Sequence, residues 1–283
     1  TGKEFTRRAN QGSTRQQYFF ARSVNTEHLR RSCGVPTFNE TLTRSAIGHP
    51  AYVRVLELGY RWMFTDHLVP TGAEVQSMAS DQGYGGLDYQ QLHRGFFGLV
   101  DTGRYAMIQM RKMKNRPAWS AVLHPHGGVP VSMGHTRAAV LYAGSKQKEA
   151  AAYFLGFLRS EEYNMHIVRD SDSLPPDPRF MDSEEFLRPA GRTNEWDMHA
   201  AFRRMANEFA FPRDYSPFAM FQKYNRSESI ALEAYTSGLS GAQETVASIA
   251  RAIDDEVARY VGLHPEMLGR YRAALARQQR IDA

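Results

Sequence analysis

The chain has 283 residues, a net charge of +5, 42% hydrophobic and 23% charged residues, which suits a soluble globular protein of one large domain or two modest ones. No apolar run approaches the ~18 residues that span a bilayer, and the single cysteine, Cys33, excludes an internal disulfide and a multi-cysteine metal site. Lysine and arginine are scattered, with a local group at Arg104, Arg111, Lys112, Lys114 and Arg116, so the charge reads as a solvated basic surface and no nucleic-acid partner is expected.

Helical pattern starts almost at once, from Lys3 to Asn10, without an initiating Met or a secretory h-region, and the chain reads as a piece of a longer precursor. Tyr18, Phe19 and Phe20 give β-favouring bulk to a strand over Gln17–Ala21. A helix opens at Pro50, carries Val53, Leu56, Tyr60, Met63 and Phe64 at helical spacing, and ends before Pro70. Gly83, Gly85 and Gly86 around Tyr84 mark a loop. Alternation predicts strands over Arg104–Met110 and Trp119–Leu123, and an apolar strand buried on both faces over Thr136–Ala143. Between them His124–Pro130 breaks regular structure.

Ser145 can cap the next helix, which sets Ala150, Phe154, Phe157 and Leu158 on one side. Ser173–Pro178 is a second break, after which helices dominate. One ends near Gly238; the next opens with Ser240 and Gln243 at capping-box spacing and carries the stripe Val246, Ile249, Ala250, Ile253, Val257, Tyr260 and Val261. An Arg- and Ala-rich amphipathic helix follows Pro265. Strands alternating with helices, then helices alone, give an α/β architecture with helices covering the sheet.

Several stretches, in order, resemble the extracellular solute-binding proteins of family 1, the maltose-binding type. Arg94-Gly95 with Gly103-Arg104-Tyr105-Ala106-Met107 resembles the family's G-K-x-A-M strand. Gly144-Ser145-Lys146, Glu149-Ala150-Ala151 and Phe154-Leu155-Gly156-Phe157-Leu158 resemble its S-K-x-x-E-A-A-x-x-F-L-x-F-L unit, continued by Ser160-Glu161-Glu162-Tyr163-Asn164 and Ser173-Leu174-Pro175. Tyr215-Ser216-Pro217 and the helix at Ser240 resemble the closing segment. The likeness covers roughly Phe5 to Tyr260.

The resemblance implies a type 2 periplasmic-binding-protein-like, two-lobed α/β fold, here mostly the C-terminal lobe with a strand–helix fragment of the N-terminal lobe. Residues 1–123 would open the second lobe, 124–173 would hold the fragment of the first (Pro130 to Asp170 being its strand and helix), 174–262 would return to the second, and 263–283 would form a helical tail. It implies the substrate-binding component of an ABC transporter, a monomer that closes like a hinge on a sugar, oligosaccharide or polyol and delivers it to the permease subunits. Its location would be extracytoplasmic, in the periplasm or lipid-anchored at the outer face of the membrane. No catalytic residue, metal or cofactor is implied.

A sugar cleft needs flat aromatic faces and polar groups for hydroxyls, placed at the carboxyl ends of strands. The loop after the first strand offers Phe20, Arg22, Ser23 and Asn25; the Arg104–Met110 segment offers Gln109 and Arg111; Tyr215 and Ser216 add an aromatic and a hydroxyl, and Tyr84 another aromatic. Trp62, on a helix, reads as core. The alternative is a glycoside hydrolase-like enzyme with an aromatic-lined cleft, which needs two carboxyls about 5–9 Å apart. Asp170 with Asp172 suits a turn, and Asp254, Asp255 and Glu256 suit a solvated helix face. His124 and His126 stand at metal-ligand spacing with no third ligand evident in the sequence.

Overall fold

The computed structural model describes residues 1–13, 16–21, 26–78, 92, 94–113, 119–134 and 138–283. In chain order its helices are α1 Gly2–Asn10, α2 Thr26–Ser32, α3 Pro50–Phe64, α4 Gly72–Ser77, α5 Met107–Lys112, α6 Lys148–Phe157, α7 Glu161–Asp170, α8 Glu184–Leu187, α9 Trp196–Glu208, α10 Phe221–Thr236, α11 Ala242–Leu263 and α12 Leu268–Asp282. The strands are β1 Tyr18–Phe20, β2 Phe97–Leu99, β3 Ser132–Gly134 and β4 Ala210–Pro212. The result is a helix-rich α/β chain with short strands. It divides into two compact units: Thr1–Arg22, Leu68–His124 and Ser132–Phe211 form unit 1, and Ser23–His67, Pro125–Val131 and Pro212–Ala283 form unit 2.

In unit 1, Thr1 caps α1, and the expected strand is present as β1, paired in parallel with β2 through Tyr18↔Phe97 and Phe20↔Leu99. Tyr18, Ala21 and Phe97 form a small buried cluster there. Thr71 and Glu74 close a capping box on α4, with Glu74 Oε2 accepting from the Thr71 N–H at 2.7 Å and Thr71 Oγ1 from the Glu74 N–H at 3.3 Å.

The strand expected over Arg104–Met110 is instead a 3₁₀ turn, Arg104–Ala106, running into α5. Ala106, Met107 and Met110 share a helical face, and it packs on Met198, Phe202 and Met205 of α9. Helical spacing, with good helix formers at every position from 106 to 112 except Ile108, outweighs the alternation that suggested a strand. Trp119, Ala121 and Leu123 do turn inward on the same cluster at a period of two, but the segment is irregular and pairs with no strand among the described residues. The expected buried strand over Thr136–Ala143 is also absent from its described part: residues 138–143 are irregular and exposed, Val140 being 83% accessible and Tyr142 77%.

Ser145 accepts from the Gln147 N–H at 3.1 Å just ahead of α6, but the side expected to pack is largely open, with Ala150, Phe154 and Phe157 exposed and Leu158 half-buried.

In unit 2, Pro50 opens α3 as expected, behind a His49 cap whose Nδ1 accepts from the Ala51 N–H at 3.1 Å. The apolar stripe of α11 is buried at Val246, Ile249, Ile253, Val257 and Val261, and α11 packs on α10 and α3. α10 ends before Gly238, whose φ of +74° suits glycine after a helix. The expected Ser240–Gln243 box is absent. Gly241 stands at the N-cap, and the Ser240 hydroxyl pairs with Thr245 Oγ1 at 2.9 Å. Asp254, Asp255 and Glu256 are not simply a solvated face, since Asp254 Oδ1 accepts from the Ser45 N–H at 2.6 Å and Glu256 is buried.

Candidate functional site

Of the residues expected in a sugar site, Arg22, Ser23, Asn25 and Tyr84 lie outside the described residues. The others fall in separate units. Unit 1 holds Phe20, half-buried and edge-on to Phe19 at 4.8 Å, with Gln109 and Arg111 on α5. Arg111 is engaged internally: its Nη2 donates to Glu195 Oε2 at 2.7 Å and its Nη1 to Arg169 O at 2.7 Å. Unit 2 holds Tyr215 and Ser216. The Ser216 hydroxyl donates to Leu42 O at 2.6 Å and accepts from the Phe218 N–H at 3.0 Å, so it braces the turn in which Leu42 adopts a φ of +61°.

Tyr215 stands differently. It is 51% exposed and packs edge-on against Phe221 at 5.3 Å. The Arg213 guanidinium lies 4.5 Å from the Phe221 ring centre, and Arg213 Nη2 donates to Glu27 Oε2 at 2.8 Å. Glu27 and Arg31 are one turn apart on α2, 3.6 Å from carboxylate to guanidinium, and Arg31 Nη2 pairs with Asp214 Oδ2 at 2.7 Å. Asp214 also accepts the Thr37 N–H at 3.2 Å. The chain Arg213–Glu27–Arg31–Asp214 is therefore a line of alternating charge, flanked by an aromatic pair whose outer ring is open to solvent.

Behind it Phe221 packs on Tyr224 at 5.4 Å, and Arg30 lies over Tyr52 at 5.5 Å. Burial pushes the Glu228 carboxyl above its usual range, and nearby Arg30 opposes that rise. Burial likewise raises the phenols of Tyr52 and Tyr224.

This arrangement sets an apolar ring face beside mutually paired charges whose side chains are 10–24% accessible. Both features suit a C–H-rich polyhydroxylated ligand. Sequence reasoning found Tyr215 and missed Glu27, Arg31, Arg213, Asp214 and Phe221. The i,i+4 spacing of Glu27 and Arg31, and the run Arg213-Asp214-Tyr215 after Pro212, were the available signals. In unit 1, His124 Nε2 lies 3.4 Å from Asp101 Oδ1.

No protein-family model matches the chain, and no curated protein sequence matches it. Solved structures do. An ABC substrate-binding protein of Listeria monocytogenes in complex with cycloalternan superposes with a TM-score of 0.70 at 16% identity, over 90% of this chain and 61% of that one. The maltose/maltodextrin-binding domain MalE of Bdellovibrio bacteriovorus bound to maltotriose gives 0.70 at 13%, over 91% and 64%. Maltose-bound MalE3 of T. maritima gives 0.65 at 14%, over 89% and 62%. This chain shares their fold. These neighbours are MalE-like substrate-binding proteins, and the likeness is to the part of their fold that this chain spans. The chain spans 61–64% of their length.

Proposed function

We propose that this protein is the substrate-binding component of an ABC transporter, which captures a sugar, oligosaccharide or polyol outside the cytoplasm and delivers it to the membrane permease. The observation that carries this reading is the fold: structures that superpose on nine-tenths of the chain hold cycloalternan and maltotriose. The exposed Tyr215 with its line of paired charges adds a surface of suitable chemistry. Within unit 2, Tyr215, Arg213, Glu27 and Asp214 contact the ligand. Binding works by population shift, the ligand favouring the closed form through contacts that only that form completes. No bond is made or broken.

The segment Pro130–Asp170 belongs, in this reading, to a first lobe whose remainder lies outside these 283 residues. Two observations support this. The chain covers under two thirds of its structural neighbours. Apolar side chains between residues 140 and 157 also stand open, Tyr153 at 82% and Val140 at 83%, as a face would that another layer is meant to cover.

The test is a thermal-shift screen of the complete translated product against mono- and oligosaccharides, with chromatographic analysis of each sugar. A ligand at ~100 times its Kd adds about 2.7 kcal/mol, several degrees for a protein of this size. A shift with one sugar class and no sugar consumed supports capture. Product release, lost in Glu228→Gln, would replace the reading with glycoside hydrolysis.

A further inference from the structure

Unit 1 buries a charged cluster that carbohydrate capture does not use. Arg104 is 3% exposed, Glu195 2% and His199 0%. The last carbonyls of a helix lack partners within the helix, and at the end of α7 two arginines supply them. Arg104 Nη1 donates to Ser173 O at 2.5 Å and to Ile167 O at 3.3 Å. Its Nη2 donates to Val168 O at 2.8 Å and to Ser171 Oγ at 3.2 Å. Arg111 Nη1 takes Arg169 O at 2.7 Å. Ser171, fully buried, sits at φ +59°, a left-handed conformation costly for a residue with a Cβ, and the Arg104 contact holds it there.

Glu195 is the buried carboxylate among these guanidinium groups. Glu195 accepts from Arg111 Nε at 3.1 Å and Nη2 at 2.7 Å, and faces Arg192 at 3.6 Å. His199, one turn further along, has Nε2 3.5 Å from Glu195 Oε2, and its Nδ1 accepts from Arg104 Nε at 3.4 Å. That second bond exists only while Nδ1 is unprotonated; a proton there sets donor against donor. α8 presents the Phe186 ring, 5.7 Å from the imidazole and 4.2 Å from the Arg104 guanidinium, and beyond the end of α7 the Asp172 carboxylate acts on Arg104.

We propose that Arg104, Arg111, Glu195 and His199 form a pH-sensitive clasp: neutral His199 accepts from Arg104 and keeps the end of α7, Ile167–Ser173, fastened to α9, and protonation at Nδ1 loosens that end. Burial first, then the two arginines, hold the imidazole below its ordinary value, with Glu195 opposing. The sign follows: the unfolded chain binds the proton more readily, so the contribution is whole above the ordinary histidine value and is lost as pH falls through the lowered one.

Hydrogen exchange read by mass spectrometry over Ile167–Ser173, expressed as protection factors at about pH 7.5 and about pH 5, tests the clasp. Wild-type protection is expected to fall several-fold, and His199→Gln, an acceptor that does not titrate, to keep its protection. Equal losses in both proteins, or none in the wild type, would overturn the proposal. If the variant does not fold, an NMR titration of the wild type decides: the His199 midpoint should lie below the ordinary value, with the Val168 and Ser171 amides moving at the same midpoint. A midpoint at or above that value, or amides that ignore it, would equally overturn the clasp.

Discussion

Arg30 is buried in unit 2 and holds the turn after α2. Its Nη1 donates to Val35 O at 2.6 Å and its Nη2 to Thr37 Oγ1 at 3.0 Å. Lysine lacks the planar fork whose two nitrogens each take one of these acceptors, so Arg30→Lys should lower stability by about 1–3 kcal/mol in urea unfolding followed by circular dichroism. An unchanged midpoint would mean that the fork does not hold the turn. Glu228 carries the opposite kind of effect. Its carboxyl is raised by burial, so folding pays to keep it ionised: the penalty is absent at acid pH and appears as pH rises through the raised value. Glu228→Gln should therefore raise the unfolding midpoint near about pH 7 and leave it unchanged near about pH 4. A gain at both pH values would point to packing instead of charge. At this scale the sequence showed residue types but not partners. Ser216 and Arg111 carry groups suited to a ligand, yet Leu42 O and Glu195, distant in the chain, engage them.

Helices were legible where one face is apolar for several turns. The α11 stripe is buried at Ile249 and Ile253 as its spacing demands. Ile253→Ala should cost about 2–5 kcal/mol by chemical denaturation, whereas the exposed Phe154→Ala should stay within about 0.5 kcal/mol. Similar losses at both positions would mean that α6 is covered after all. Short segments were less legible. Ala106, Met107 and Met110 satisfy helical spacing while the whole stretch Arg104–Met110 also alternates, and only the Met-rich face of α9 selects the helix. Capping followed the same pattern. Thr71 and Glu74 bond reciprocally, while Ser240, placed equally well in sequence, turns to Thr245.

For the whole molecule, the ordered motifs from Phe5 to Tyr260 led to the fold that the solved structures share, although identity is only 13–16%. Order and spacing survive divergence that erases individual residues. The candidate site was less legible, since its residues come from separated segments and their approach depends on tertiary packing. The open face around Tyr153, Phe154 and Phe157 belongs to this scale too. The 283-residue chain alone should self-associate through it in light scattering, and Tyr153→Ser with Phe154→Ser should reduce the association. A chain that stays monomeric at high concentration would remove one support for the proposed first-lobe segment.

The most direct test of carbohydrate capture is calorimetric titration of the complete translated product with maltotriose and a cyclic α-glucan, for wild type and Tyr215→Ala. Saturable binding of an intact sugar is expected, weakened about tenfold or more when the exposed ring is removed, a loss of at least about 1.4 kcal/mol. Absence of heat and of saturation across sugars and polyols, or consumption of the sugar during the titration, would contradict it.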